Sequence, residues 1–394
     1  MTRWVRVLAG AALGLAGGVV LFEWYLRAHG FLGRLTPYPC VVEDAVLPHA
    51  LRPGCREVAK ASALRTVKDV EYETNTLGLR GPEIVSGKEL LLVLGDSFTE
   101  GFGLSNSDTF PARLEQVLHT RGLGQVQVIN GGVTGYSTAV YPLLFQKKFA
   151  AMGIRCVLLN FDFSDLADDI EFLSRARYDE SGQPVAFPRS APQVPHWLAA
   201  ILYTHRSAVM EFVCQEIARA HNARLRRDSE PSQRRLVAAS PQLIDPRWLK
   251  EKSLDRCWEQ YELTAKMILR LKEEVEQAGA SFAMHVYLPG GEVKPYPPDG
   301  TKISFWAQWE HLIAPNEQPL CRFTVEGIDV LRRFAAAQGI PFFDSSDVVR
   351  HSPVKTQLYF DLDTHWTGQG AAVVAEAVAG WLVTILPTDR FHRS

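Results

Sequence analysis

The 394-residue sequence predicts an α/β fold, a parallel sheet of about five strands with helices on both faces, preceded by a membrane-spanning helix. Three observations predict it. The run Leu90-Leu91-Leu92-Val93-Leu94 is aliphatic at every position and ends in Gly95, the pattern of a strand buried on both faces of a parallel sheet. Strand-like and helix-like segments then alternate at the spacing of βαβ units. Upstream, a run without charge from Val7 to Phe22 follows Arg3 and Arg6.

That run is extended by Trp24, Tyr25 and Leu26 and closed by Arg27. About 20 residues at roughly 1.5 Å each match a hydrocarbon core of about 30 Å. Trp4, Trp24 and Tyr25 stand at its two ends, where amphipathic rings favour the interface. Glu23 and Arg27 are four apart and can pair. A cleavable signal peptide is the rival, but no A-x-A site follows the run and no Cys offers a lipid attachment. A buried soluble helix is the third reading. The basic flank favours an N-inside orientation, with the rest of the chain extracytoplasmic: a single-pass anchor over residues 1–30.

At 46% hydrophobic content the remainder can bury a large core. With 42 basic and 44 acidic residues and a net charge of -2, no basic face for nucleic acid is indicated. Cys40 and Cys55 enclose a short loop and are the expected disulfide in an oxidising compartment, and Cys156 reads as a buried thiol. Cys214, Cys257 and Cys321 are unassigned. No C-x-x-C pair or His cluster suggests zinc, so no metal is expected.

In chain order, residues 31–88 form a Pro- and Gly-rich, partly β lead-in with a turn at Asn75-Thr76-Leu77-Gly78. An α/β domain over 89–388 follows. Its first strand, Leu90–Leu94, leads through a loop to a helix capped by Asp108, with Phe110, Leu114, Val117 and Leu118 on one face. The second strand, Val126–Ile129, ends in Asn130-Gly131-Gly132-Val133-Thr134-Gly135-Tyr136, and a helix runs from about Thr138 to Met152. The third strand is Cys156–Phe163, ending in Ser164-Asp165. An insertion at about 170–250 breaks the rhythm, with an Arg-rich stretch, Arg224 to Arg235, read as a solvated loop or an anionic-substrate clamp. Regular structure resumes with a helix at Leu254–Gln277, a strand at Phe282–Leu288, a helix near Val325–Ala337, a strand at Pro341–Phe343 and a closing helix at Gln369–Ile385.

Chemistry concentrates at two places. Ser97 follows the first strand, where α/β enzymes carry reactive groups, and is the candidate nucleophile. Near the C-terminus stands Tyr359-Phe360-Asp361-Leu362-Asp363-Thr364-His365-Trp366. In an extended segment residues two apart project to one side, so Asp363 can hold His365 Nδ1 while Nε2 faces a nucleophile. A Ser hydroxyl needs such a base. Asp361 is the fallback acid, and a surface Asp–His pair is the bland reading. Asp96 is expected to orient the turn and Glu100 to brace it. Phe98, Tyr136 and Trp366, each following a candidate site residue, line an acyl or sugar pocket or are core aromatics. Asp162, Asp165, Asp168 and Asp169 fit no standard metal loop and read as loop and helix-start residues, Asp165 nearest the site.

Gly95-Asp96-Ser97, a Gly-rich turn after the second strand, an acidic turn after the third and a C-terminal Asp-x-His, in that order, resemble the SGNH/GDSL hydrolase superfamily. The resemblance implies a flavodoxin-like three-layer α/β/α sandwich. It implies Ser97 as nucleophile, His365 as base and Asp363 as its partner. It also implies an oxyanion hole from the backbone N–H groups of Ser97 and Gly135. The third-block Asn of the family falls at Ser164, a departure; a hydroxyl donor has shorter reach than an amide, and losing one oxyanion donor costs about 2.7–4 kcal/mol. Asp-Thr-His-Trp is similar to the branch near alginate O-acetyltransferase-like proteins, which are extracytoplasmic and modify polysaccharides. The expected activity is therefore that of a membrane-anchored serine esterase acting on an O-acetyl group of a cell-envelope glycan, or on a lipid or small ester, without a cofactor. The alternatives are an O-acyltransferase with the same triad and a sugar acceptor, and a catalytically silent glycan-binding scaffold.

Overall fold

Leu90, Leu92 and Leu94 point to one side of a strand and Leu91 and Val93 to the other, and all five are buried, because helices cover both faces. The computed structural model describes residues 14, 17–25, 40–59, 69–188, 209, 252–288, 290, 293, 325–360 and 365–386.

The lead-in holds two antiparallel pairs, β1 (Val41–Val42) with β2 (Ala50–Leu51) and β3 (Arg56–Ala59) with β4 (Val70–Glu73). A Cys40–Cys55 disulfide clamps the first pair against the second, and Asp44 ties it to Lys147 of the main domain at 2.5 Å. The domain continues with β5 (Glu89–Gly95), α1 (Ser97–Glu100), α2 (Phe110–Thr120), β6 (Val126–Gly132), α3 (Tyr141–Leu144) and β7 (Ile154–Phe161). Next come α4 (Asp165–Arg175), the small pair β8 (Arg177–Tyr178) and β9 (Pro184–Ala186), and α5 (Lys252–Gln277). The chain closes with β10 (Ser281–Val286), α6 (Val325–Ala337), β11 (Phe342–Asp344), α7 (Ser346–His351) and α8 (Gly368–Ile385).

The five long-range strands form one parallel sheet in the order β11-β10-β7-β5-β6. The chain leaves β5 for one edge and then crosses back beside it as β7, so the strand order reverses at β5 and opens a crevice at its carboxyl end. One face, with Leu92, Leu159 and Met284, packs against α3, α4, α5 and α6. The other, with Leu91, Val93 and Leu158, packs against α2 and α8. The expected five-strand parallel sheet with helices on both faces is present.

Several local expectations are corrected. The first strand runs directly into α1 with no intervening loop, because the Asp96 side chain caps it by accepting the Phe98 N–H at 2.9 Å. Asp108 does not cap α2; Thr109 does, accepting from Ala112, while Asp108 pairs with Arg113 at 2.5 Å. The helix expected over Thr138–Met152 is one α turn continued by a π-helical turn, Phe145–Phe149, with Pro142 in its first turn. The insertion begins with regular structure, since the second half of α4 and the pair β8 and β9 fall within its first third, and the Arg-rich stretch lies outside the described residues.

The expected span at Val7–Phe22 lies largely outside the described residues; 17–25 are helical, with Val20, Leu21 and Trp24 largely exposed. Among the described residues one helix is long and apolar enough to cross a membrane, α8, and its Ala371, Val374, Val378 and Leu382 are buried in the domain core. Cys156 is a buried free thiol whose pKa burial raises to about 11; Cys214 and Cys321 lie outside the described residues, and nothing is described of the Cys257 side chain.

Candidate active site

Ser97 is the first residue of α1, at the carboxyl end of β5. As the first helical residue its N–H has no intrahelical acceptor. The sharp exit from the helix is made by Gly101 in the left-handed region (φ 92°), where Gly101 and Phe102 N–H groups both reach Ser97 O at 2.9 Å. This short helix is seated against the end of β6: a Cβ on Gly132 would lie 2.2 Å from the Glu100 backbone nitrogen, so only glycine fits there.

His365 arrives from the far end of the chain. Tyr359 and Trp366 form an isolated antiparallel bridge, the Phe360 N–H donates to His365 O at 3.0 Å, and the Thr367 N–H donates to Leu358 O at 2.9 Å. Thr367 then caps α8, and the Tyr359 hydroxyl donates to Leu288 O just past β10. The neck of this loop is fixed to both the sheet and the helix layer. The result is a 2.6 Å contact between Ser97 Oγ and His365 Nε2 across 268 residues of sequence. Asp363 and its fallback Asp361 lie outside the described residues.

The imidazole is sandwiched between two phenyl rings, Phe98 and Phe102, each with its centroid at 4.6 Å and with interplanar angles of 33° and 26°. The two rings limit rotation of His365 and face an imidazolium with their electron-rich surfaces. Phe102 was not singled out from sequence. No local signal pointed to it, because the left-handed Gly101 takes Phe102 off the helix that carries Phe98.

The other expected site residues fall into different roles. Gly135 has φ 73° and is exposed, and neither its N–H nor that of Ser97 has an acceptor among the described residues. Ser164 stands at the N-terminal flank of α4 without a capping bond from its hydroxyl, and its N–H donates to Asp162 Oδ1 at 2.7 Å, so its backbone is committed to that turn. Phe98, Tyr136 and Trp366 are at most 4% exposed and sit among the core clusters of the two faces, and Asp165 is fully buried. Phe98 and Trp366 pack with Tyr287 behind His365, with Phe98 against the imidazole itself. Tyr136 lies in the opposite layer, its ring against His49 and its hydroxyl on His49 O. The three aromatics are buried by packing, Tyr136 in the apolar cluster on one face of the sheet and Phe98 and Trp366 in that on the other.

A second imidazole lies below the first. His285 is fully buried, with Nδ1 at 2.7 Å from Asn160 Oδ1 and Nε2 at 2.9 Å from Ser345 Oγ. Burial lowers its pKa to about 3, which keeps it neutral, and Asn160 Nδ2 continues the string to Thr99 Oγ1 at 2.7 Å. It braces α1 from beneath and cannot serve as base to Ser97.

Beside Ser97 the carboxyl of Asp96 is buried. Desolvation first, then the nearby Asp162, push its pKa up to about 7, against the pull of His365. A carboxyl whose folded pKa is raised destabilises the fold above that pKa, and the penalty disappears as pH falls through about 7 towards its ordinary value. In that window the native state binds more protons than the unfolded chain. Asp96→Asn keeps the cap oxygen and removes the titration. Wild type is expected to gain stability on acidification from pH 7.5 to 5.5 relative to Asp96→Asn, with a difference approaching about 1.4 kcal/mol per pH unit. Urea midpoints of the two proteins across this range check it; parallel profiles would contradict the assignment.

A family model described as the SGNH hydrolase-like domain of the acetyltransferase AlgX matches residues 317–389, a stretch that includes Asp363 and His365 but not Ser97. No curated protein matches the chain. Among solved structures, the lipase/acylhydrolase from Enterococcus faecalis is 11% identical over 76% of this chain and 97% of its own, with a TM-score of 0.38. LAE5, an alpha/beta hydrolase from the metagenome of Lake Arreo, is 16% identical over 77% and 99%, with a TM-score of 0.36. A carbohydrate acetylesterase family member from Sinorhizobium meliloti is 12% identical over 76% and 99%, with a TM-score of 0.34. At these scores the structural likenesses add no weight to a reading of the site. The chain is thus similar to SGNH hydrolase-like domains of the AlgX type over residues 317–389, the segment that carries Asp363 and His365.

Proposed function

We propose that the protein is a membrane-anchored, extracytoplasmic serine esterase, and that Ser97 and His365 are its nucleophile and base. The observation that carries this is the 2.6 Å contact between Ser97 Oγ and His365 Nε2 at the strand-order reversal of the sheet. In the reaction, Nε2 takes the Ser97 proton as Oγ attacks the ester carbonyl, and the N–H groups of Ser97 and Gly135 receive the oxyanion, with the Ser164 hydroxyl as a third donor. The imidazolium returns its proton to the departing alcohol, leaving acyl-Ser97. Water, deprotonated by His365, then releases the acid and regenerates Ser97. Asp363 is assigned to hold Nδ1–H and stabilise the imidazolium. An O-acetyl group on a cell-envelope glycan is the proposed substrate, and the apolar run at Val7–Phe22 the proposed anchor.

A second reading, in which a sugar hydroxyl replaces water in the second half-reaction, is favoured by the match of residues 317–389 to an acetyltransferase-type domain. The two readings separate in one experiment. Full-length protein is given an activated aryl acetate with and without a glycan acceptor, and acetate and acetylated glycan are both quantified. Esterase action predicts acetate at the same rate in both cases; transfer predicts acetylated glycan at the expense of acetate. A serine-directed fluorophosphonate should label wild type and not Ser97→Ala, and equal labelling of the two would exclude Ser97 as nucleophile. Recovery of the full-length protein in the soluble fraction would exclude the anchor.

A further inference from the structure

We propose that Glu100 is a positioning residue for the oxyanion hole. Its buried carboxylate ties the first peptide of the turn at Val133–Tyr136 to the helix that carries Ser97, which fixes where the Gly135 N–H stands relative to the nucleophile. The inference rests on the reading of Gly135 as an oxyanion donor.

Glu100 closes α1, three residues after Ser97, and is fully buried. One carboxylate oxygen accepts the Thr134 N–H and the other accepts the Tyr72 hydroxyl from β4 of the lead-in. The Thr134 N–H belongs to the same peptide unit as the Val133 carbonyl, and that carbonyl accepts the Tyr136 N–H at 3.1 Å. Both ends of the 133–134 peptide are therefore tied, while the Val133 N–H is held by Gly95 O at 3.0 Å. The Thr134 hydroxyl is buried without a partner among the described residues, so Thr134 is held through its N–H and not its side chain.

The turn has Gly135 at its third position with φ 73°, and Thr134 is not among the positive-φ residues. That is the type II form. Types I and II differ by a roughly half-turn rotation of the central peptide, here Thr134–Gly135, which exchanges its N–H for its C=O on a given side. An oxyanion is stabilised by the first and repelled by the second; Gly135 at the positive-φ position sets which of the two is presented, and Glu100 sets where. Glu100 links that turn rigidly to the helix that carries Ser97. A side chain with no acceptor loosens this link without touching substrate.

The test uses the full-length protein and an activated aryl acetate, with a boronic acid as mimic of the tetrahedral oxyanion. Glu100→Met fills the space but accepts no hydrogen bond; kcat should fall about 100-fold with KM within about threefold of wild type, the loss of one oxyanion donor. Boronate affinity should fall by the same factor. Glu100→Gln should recover most of both, because one carbonyl oxygen still accepts the Thr134 N–H and the Tyr72 hydroxyl can accept from the new amide. Tyr72→Phe, which leaves Glu100 in place and serves where Glu100→Met fails to fold, should lower kcat and boronate affinity together by about fivefold, the loss of one hydrogen bond. The inference is overturned if Glu100→Met or Tyr72→Phe loses activity while boronate affinity is unchanged. It is equally overturned if either variant keeps wild-type kcat while Ser97→Ala is inactive. Retained activity in Ser97→Ala would instead remove the reading of the site on which the inference stands.

Discussion

Ser97→Ala is expected to lower kcat for ester cleavage by about 10⁴- to 10⁶-fold, and His365→Ala by a similar factor. In serine hydrolases nucleophile and base act as one unit, and losing either forfeits nearly the whole covalent route. The two losses should not add: the double variant should be no slower than either single one within about a factor of ten. The sandwich of Phe98 and Phe102 around His365 makes the second substitution open a gap between two rings, so folded state should be verified by near-ultraviolet circular dichroism. A steady-state assay with an aryl acetate checks the prediction. Additive losses, or a Ser97→Ala protein within tenfold of wild type, would contradict a covalent route through Ser97.

The largest effect on stability is expected at Arg80, outside the α/β domain as read from sequence. Its guanidinium is buried and lies 4.1 Å from the centre of the Tyr72 ring. It donates to Glu100 O at 3.0 Å, to Gly101 O and to Leu104 O, and its Nε donates to Asn106 Oδ1 at 2.9 Å. These carbonyls lie at the end of α1 and in the loop after it, where a helix leaves its last acceptors without intrahelical donors. Arg80→Met keeps much of the volume and removes every donor. Each buried carbonyl left unsatisfied costs about 1–3 kcal/mol, and the costs overlap, so a loss of about 3–5 kcal/mol is expected. The urea midpoint should fall accordingly, and kcat should fall with it because Phe102 lies between Gly101 and Leu104. Arg80→Lys should rescue little, since an ammonium cannot span this spread of acceptors. A loss of unfolding free energy below about 1 kcal/mol would show that the lead-in is not an integral support of the site.

The sheet and the neighbourhood of Ser97 were legible in sequence because their signals are local. A strand buried on both faces must be apolar at every position, which Leu90–Leu94 states outright. A tight exit from it needs glycine, and a reactive serine there needs a partner histidine, which Asp363-Thr364-His365 supplies in recognisable form. Caps were less legible: Asp108 and Thr109 are both competent, and the choice of Thr109 follows from Arg113 drawing the Asp108 carboxylate aside. The placing of Phe98, Tyr136 and Trp366 was not legible, because an aromatic beside a site residue looks the same in sequence whether it faces solvent or core.

Sequence alone determined the parallel sheet, its order of blocks and the serine and histidine to examine, since hydrophobic period and glycine placement follow from backbone geometry within a few residues. Only the tertiary structure decided that Phe102 closes on His365, that His285 is a buried neutral brace, and that Tyr72 and Arg80 of the lead-in hold α1 and its turn. Those contacts join residues 20 to 263 positions apart or depend on which side of a turn a ring falls. No local pattern encodes them, because they arise where separately stable elements meet and the buried polar groups of one must find partners on another.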